Sequence, residues 1–81
     1  MSSARQAQVD SKTDLEISVV INGRGVKTAA ATLDGLLAEQ GFAGLKVATA
    51  LNGDFVPERA RGVTKLTGGD RIEVVSARQG G

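Results

Sequence analysis

Apolar and polar residues alternate strictly where the patterned part of the chain begins. From Leu15 to Ile21 every second residue is aliphatic, which predicts a strand with one buried face. Asn22-Gly23 follows, a pair that tolerates positive φ and predicts a tight turn, and residues 25–28 return beside the first strand. The pattern therefore predicts an opening β-hairpin.

The hydrophobic spacing then changes to that of a helix. Leucines at positions 33, 36 and 37 fall on one helical face, Thr32 is placed to cap the amino end, and Gly41 supplies the end. Gly35 lies inside this segment, where glycine disfavours a helix, so we expect it to permit close approach to the sheet.

A second hairpin and a final strand complete the pattern. Residues 47–51 alternate into Asn52-Gly53, and Pro57 places the returning strand at a sheet edge or ends it, because proline has no N–H to donate. A turn-rich connection over residues 64–70 leads to the last strand, residues 71–76.

One helix across a mixed sheet of four to five strands is the α+β arrangement called the β-grasp. We expect the first and last strands to pair in parallel at the centre, with the three leucines covering Ile17, Val19, Ile72 and Val74. Val20 and Val75 fall on the opposite face, open to solvent. They either raise strand propensity alone or form a docking patch near the carboxyl terminus.

Composition limits the chemistry of the chain. Its 81 residues predict one domain without a deep cavity, and the absence of His, Cys, Tyr and Trp removes the usual general base and thiol nucleophile. We therefore expect no metal site, no disulfide and no self-contained catalysis. Ten basic and nine acidic residues give a charge of only +1, which argues against nucleic-acid binding.

The two ends of the chain differ from the folded middle. Residues 1–14 are mostly polar and predict a disordered lead-in, with a partner-binding arm as the alternative. The domain is then residues 15–81, including a flexible tail over residues 77–81. No membrane-spanning run or secretory signal is evident, so we expect a cytoplasmic protein.

The tail ends in Gly80-Gly81, where the reactive group would be the backbone carboxylate. Glycine has the least restricted backbone, so this pair fits a narrow channel in a partner, and an ionised carboxylate can attack the α-phosphorus of ATP. The product would be an acyl adenylate. The alternative is a frayed terminus without a function.

Taken in order, these motifs resemble the thiamine-biosynthesis sulfur carrier family, ThiS, from residue 15 to residue 81. The residues that carry the resemblance are Ile21-Asn22-Gly23, Thr32-Leu33, Leu36-Leu37, Gly41, Val47-Ala48, Leu51-Asn52-Gly53, Val56-Pro57, Leu66, Gly69-Asp70, Ile72-Glu73-Val74-Val75 and Gly80-Gly81. The resemblance implies a ubiquitin-like fold and a carrier that is not itself an enzyme.

The resemblance also implies partners and roles. An E1-like (ThiF-like) enzyme would adenylate Gly81 with its own ATP and Mg²⁺, and a cysteine desulfurase or rhodanese-type donor would supply sulfur. The resulting thiocarboxylate would pass its sulfur to thiazole synthase (ThiG-like). Gly80 would let the tail enter each partner. Independently of the resemblance, we expect Arg78 and Gln79 to steer or hydrogen-bond the tail in that site, with a minor role for Arg78; the alternative is that the charged side chain is simply solvated.

The chain departs from the family pattern in two places, and three other functions are compatible with the same features. The family often has a basic residue after the Val-Pro pair, where this chain has Glu58, with the charge displaced to Arg59. This departure and the polar lead-in affect the details of docking. The alternatives are a carrier for molybdopterin or another metabolite, a ubiquitin-like modifier of lysines, and a β-grasp binding module.

Overall fold

The computed structural model describes residues 16–76. Its elements are β1 (Ile17–Ile21), β2 (Arg24–Thr28), α1 (Leu33–Glu39), β3 (Val47–Leu51), β4 (Asp54–Val56), a 3-10 helix (Glu58–Val63) and β5 (Arg71–Ser76). The predicted lead-in, residues 1–14, and the predicted tail, residues 77–81, lie outside the described residues, as does Leu15. All five strands and α1 lie where the sequence predicts them, whereas the 3-10 helix was not predicted.

The strands form one mixed sheet in the order β2-β1-β5-β3-β4. β1 and β5 are parallel, with Val20 beside Arg71 and Ile21 beside Ile72, and the other neighbouring pairs are antiparallel. The predicted parallel pairing of the first and last strands is therefore confirmed. β4 lies at an edge and ends before Pro57, as the missing N–H of proline predicts.

Both predicted Asn-Gly turns are present. The φ angles are 50° at Asn22 and 83° at Gly23, and 51° at Asn52 and 90° at Gly53. A two-residue turn with positive φ at both positions matches the right-handed twist of the strands that it joins. Asparagine and glycine reach this region at low cost, which explains why these pairs mark the two hairpins.

Local hydrogen bonds fix both ends of α1. The N–H of Gly35 donates to the hydroxyl of Thr32 at 3.3 Å, which confirms the predicted amino cap. Gly41 has a φ of 87°, and the N–H of Phe42 donates to the carbonyl of Leu37 at 2.8 Å, as in a Schellman motif. Within residues 16–76, no helix is long and apolar enough to cross a membrane.

Gly35 lies close to the segment before the helix rather than to the sheet. A Cβ at this position would lie 3.3 Å from the Cβ of Ala30 and 3.6 Å from the Oγ1 of Thr32. The expectation of close approach to the sheet is therefore wrong. The missing side chain instead leaves room for the chain that enters α1.

The core lies between α1 and the inner face of the sheet. The three helix leucines are at most 3% exposed, which confirms their predicted role as the covering face. Ile17 packs at the margin of the core and is half-buried. The buried hydrophobic residues of the described chain are Val19, Ile21, Leu33, Leu36, Leu37, Val56, Ile72 and Val74.

The 3-10 helix brings a charged side chain into the protein interior. Arg61 is only 7% exposed, and its Nε donates to the Oγ1 of Thr49 at 3.1 Å while Nη2 donates to the carbonyl of Val47 at 2.7 Å. Neutral oxygens of β3 thus hold the guanidinium group. The hydroxyl of Thr49 in turn donates to the carbonyl of Val56, in β4, at 2.8 Å. Arg61 therefore ties the 3-10 helix to β3 and β4.

Candidate functional site

The last strand, β5, leads to the predicted functional segment. It is the central strand of the sheet and sends Ile72 and Val74 into the core, where they are 0% and 7% exposed. Its end, Ser76, is the last described residue. Outside the described residues lie four predicted site residues, Arg78, Gln79, Gly80 and Gly81. Their roles stay predictions, and the structure defines the strand that precedes them.

The surface of the sheet turned away from α1, here the outward face, carries the other two predicted site residues. Val20 is half-buried and Val75 is 55% exposed, and both line one shallow depression. The side chains of the outward face are those of Ser18, Val20, Lys27, Ala48, Ala50, Phe55, Arg71, Glu73 and Val75. Val20 and Val75 thus lie on the same face, as expected, but Val20 lies beside Arg71, four residues before Val75 along β5, and their role in docking stays a prediction.

Phe55 enlarges this surface and was not predicted as a site residue. Its ring is 69% exposed, and Phe55 lies beside Ala50 in the register of β4 and β3. Two positions along β3, Ala48 lies beside Val75 of β5. An apolar strip therefore crosses three strands. Alternation along the strand could have predicted the exposure of Phe55, because Val56 points inward and its neighbour must then point outward.

The outward face also carries charged side chains. Arg71 and Glu73 place opposite charges at successive outward positions of β5. Within residues 16–76, no three His, Cys, Asp or Glu side chains are arranged to hold a metal ion. The outward face therefore combines apolar area with two opposite charges on its central strand, and protein interfaces likewise contain both apolar and polar groups.

A second depression lies on the helix side of the sheet. Among its lining residues are Asp34, Phe42, Lys46 and Arg61. The guanidinium group of Arg61 is already bound to β3 there, and charges of both signs surround the opening. We place the candidate site instead on the outward face and the end of β5, because the carboxyl-terminal segment directly follows this strand and the outward face carries the exposed apolar side chains of Phe55 and Val75.

The fold and this site define the class of the protein. A β-grasp sheet with one covering helix, whose central last strand leads to Gly80-Gly81, is the architecture of a ubiquitin-like protein. The ThiS family model matches residues 16–81. The chain therefore belongs to the ThiS family, the small sulfur carrier proteins of thiamine biosynthesis.

A solved structure agrees with the family. The chain is similar to the crystal structure of the thiamine biosynthesis protein ThiS from Geobacter metallireducens, with a TM-score of 0.64 and 25% sequence identity. The match covers 74% of this chain and 93% of that chain. No match was found among curated proteins.

These findings confirm the family resemblance and the fold that it implied. They also favour a sulfur carrier of the thiamine pathway over the molybdopterin carrier, the lysine modifier and the general binding module. As a member of this family the chain works with enzymes of the thiamine pathway. The individual partner enzymes and the chemistry at Gly81 stay predictions.

Proposed function

We propose that the chain carries sulfur as a thiocarboxylate on Gly81 and delivers it for the thiazole ring of thiamine. The ThiS family match carries this proposal, because it extends through Gly80 and Gly81. The preceding strand supports it as well. β5 pairs with β1 on one side and β3 on the other, so a firmly held strand leads to the reacting end.

The first step activates the terminal carboxylate. One oxygen of Gly81 attacks the α-phosphorus of ATP, the bond from that phosphorus to the bridging oxygen breaks, and pyrophosphate leaves. Gly81 is then an acyl adenylate. Activation is required because the negative charge of a free carboxylate repels nucleophiles, whereas the adenylate offers AMP as a leaving group.

The second step introduces sulfur. A sulfur nucleophile attacks the acyl carbon, the carbon–oxygen bond to AMP breaks, and AMP leaves with the electron pair. With hydrosulfide as the nucleophile, the proton goes to solvent and Gly81 ends in a thiocarboxylate. In the cell, a cysteine desulfurase or rhodanese-type donor presents the sulfur as a persulfide, whose attack on the acyl carbon gives an acyl disulfide. A thiol reductant then cleaves the sulfur–sulfur bond, is itself oxidised to a disulfide, and leaves the thiocarboxylate. A ThiG-like thiazole synthase accepts the sulfur from Gly81.

The partners supply the catalytic groups. The chain contains no His and no Cys, so a ThiF-like adenylyltransferase provides the ATP site. Mg²⁺ in that enzyme offsets the phosphate charge during the attack. The carrier contributes a nucleophile made of backbone atoms and a surface by which the enzymes recognise it.

Adenylation has a direct test that needs no sulfur. An E1-like adenylyltransferase is incubated with ATP and labelled pyrophosphate, with and without the chain. We expect label to enter ATP only when the chain is present, and a chain lacking Gly81 to support no exchange. Equal exchange with the shortened chain would place the reaction at another residue and contradict the proposal.

The same proposal assigns docking to the outward face. Phe55 and Val75 are 69% and 55% exposed, and burial of such apolar surface favours association. Val75 is the residue before Ser76, so an enzyme that contacts it also lies beside the segment that ends in Gly81. One surface thereby serves recognition and alignment of the reacting end.

Val75→Glu is expected to weaken binding to the adenylyltransferase at least about tenfold while the protein stays folded. The side chain is on the surface of β5, so the fold tolerates the change, but an unpaired carboxylate buried in an interface costs several kcal/mol. Isothermal titration calorimetry gives the dissociation constant, and a melting curve checks the fold.

Val63→Glu is the matched control, because Val63 is 78% exposed on the 3-10 helix and lies off the outward face. Its dissociation constant should equal that of the wild type. A folded Val75→Glu protein with unchanged affinity would place Val75 outside the interface.

A further inference from the structure

β1 supports only the first part of β5. It pairs with Arg71 and Ile72, whereas β3 pairs with β5 from Ile72 to Ser76. After Ile21 the chain turns away into β2. On the β1 side, the backbone groups of β5 beyond Ile72 therefore need partners from elsewhere, since buried backbone groups are nearly always paired.

The side chain of Asn22 takes the place of the missing strand. Its Nδ2 donates to the carbonyl of Val74 at 3.1 Å, and its Oδ1 accepts from the N–H of Val74 at 2.9 Å. The backbone N–H of Asn22 donates to the carbonyl of Ile72 at 2.9 Å. In a continuing parallel ladder, backbone groups of residues 22 and 24 would have bonded Val74. One amide side chain replaces both groups.

The position of Val74 affects the direction in which the chain leaves the sheet. Its side chain is anchored in the core at 7% exposure, and Val75 follows with its side chain on the outward face. Ser76 comes next and ends the strand. Fixing both backbone groups of Val74 therefore fixes the direction in which the chain leaves the sheet, and it keeps this point in register with the outward face.

Asn52 provides an internal comparison. It occupies the same position of the same kind of turn, with a φ of 51°. Its Nδ2 donates to the carboxylate of Asp70 at 3.0 Å, and its Oδ1 accepts from the N–H of Arg71 at 2.9 Å. Asn52 thus holds the start of β5, whereas Asn22 holds the part next to the reacting segment.

We infer that Asn22 is a positioning residue for sulfur loading, which holds the end of β5 so that Gly81 reaches the active site of the adenylyltransferase. The inference rests on the proposed function. Asn22 acts through Val74 and takes no part in the bond changes. The asparagine of the first turn therefore has two roles, one in forming the hairpin and one in directing the carboxyl-terminal segment.

The test compares Asn22→Gly with Asn52→Gly. Each variant removes one side-chain amide, and glycine keeps the positive φ that the turn requires. Amide hydrogen exchange of the free protein, followed by NMR, measures how well the hydrogen bond to Asn22 protects the N–H of Val74. In Asn22→Gly, we expect this amide to exchange about tenfold faster, the factor for roughly one net hydrogen bond.

Steady-state adenylation, with the chain as the varied substrate, reports the effect on the reaction. We expect Asn22→Gly to lower kcat/KM about tenfold and Asn52→Gly to stay within about twofold of the wild type, because Asn22 bonds β5 at Val74, near its carboxyl end, whereas Asn52 bonds Arg71 at its start. Asn22→Asp replaces the donor with a carboxylate oxygen that faces the carbonyl of Val74, so its kcat/KM should fall at least as far as that of Asn22→Gly. Circular dichroism at the assay temperature confirms that each variant is folded.

The outcomes separate this inference from the proposed function. If the wild type is adenylated and the Asn22 and Asn52 variants have the same kcat/KM, the positioning role of Asn22 is wrong. If Val74 exchanges at the same rate in Asn22→Gly as in the wild type, the structural basis of the inference is wrong. A wild-type chain that is not adenylated would overturn the proposed function and the positioning role with it.

Discussion

Gly80→Val is expected to abolish sulfur loading, with kcat/KM of adenylation at least about a hundredfold lower, because small misplacements of a reacting group have effects of this size. Valine adds a branched side chain and restricts the backbone where a narrow channel requires glycine. The melting temperature should stay close to that of the wild type. The core residues of the described chain run in sequence from Ile17 to Val74, and the substitution changes none of them.

The matched control for this variant is Gly62→Val on the 3-10 helix. A Cβ at Gly62 would meet no atom within 4 Å, and its φ lies outside the positive range that disfavours side chains. This variant should keep its adenylation rate. Full activity in Gly80→Val would contradict the narrow-channel argument, and a large fall in its melting temperature would show that residue 80 belongs to the packed fold.

Arg61→Ala is expected to lower the free energy of unfolding by about 2–4 kcal/mol. The change removes two hydrogen bonds from a charged donor, together worth about 3–6 kcal/mol, but it also removes the cost of burying the guanidinium charge, which offsets part of that loss. The carbonyl of Val47 and the oxygen of Thr49 are left without this donor. The change also empties space next to the core. Urea denaturation with an unchanged m-value would measure the loss.

Arg59→Ala is the control from the same 3-10 helix. Arg59 is exposed, so its replacement should change the free energy of unfolding by less than about 0.5 kcal/mol. Arg61→Met keeps much of the volume and separates packing from hydrogen bonding. Equal small effects at positions 59 and 61 would contradict the role of Arg61 in joining the 3-10 helix to β3.

Local signals in the sequence predicted most of the fold. Each of these signals depends on residues that are neighbours along the chain. They are the alternation before Asn22, the two Asn-Gly pairs, and the leucine spacing between Thr32 and Gly41. Strand and helix periodicity, turn chemistry and helix capping act over such short distances. The parallel pairing of the first and last strands at the centre was also predicted, because a right-handed crossover through one helix favours it.

The features that escaped prediction depend on contacts between distant parts of the chain. Arg61 is buried because β3 offers oxygen acceptors, and nothing adjacent to it in sequence indicates this. Asn22 reaches Val74, 52 positions away, so its turn was predictable but its second bond was not. Phe55 joined the candidate site only when strand register placed Ala50 beside it. Gly35 is a different case, because its actual neighbours, Ala30 and Thr32, are close to it in sequence.

The measurement that tests the central claim most directly is the mass of the carboxyl-terminal peptide after loading. The chain is incubated with an E1-like adenylyltransferase, ATP, Mg²⁺ and sodium sulfide, and then digested and analysed by mass spectrometry. The account predicts that one oxygen atom is replaced by one sulfur atom in the peptide that ends in Gly81, and that this exchange requires ATP. Sulfur attached to a side chain, or a carboxyl-terminal peptide that keeps both carboxylate oxygens, would contradict it.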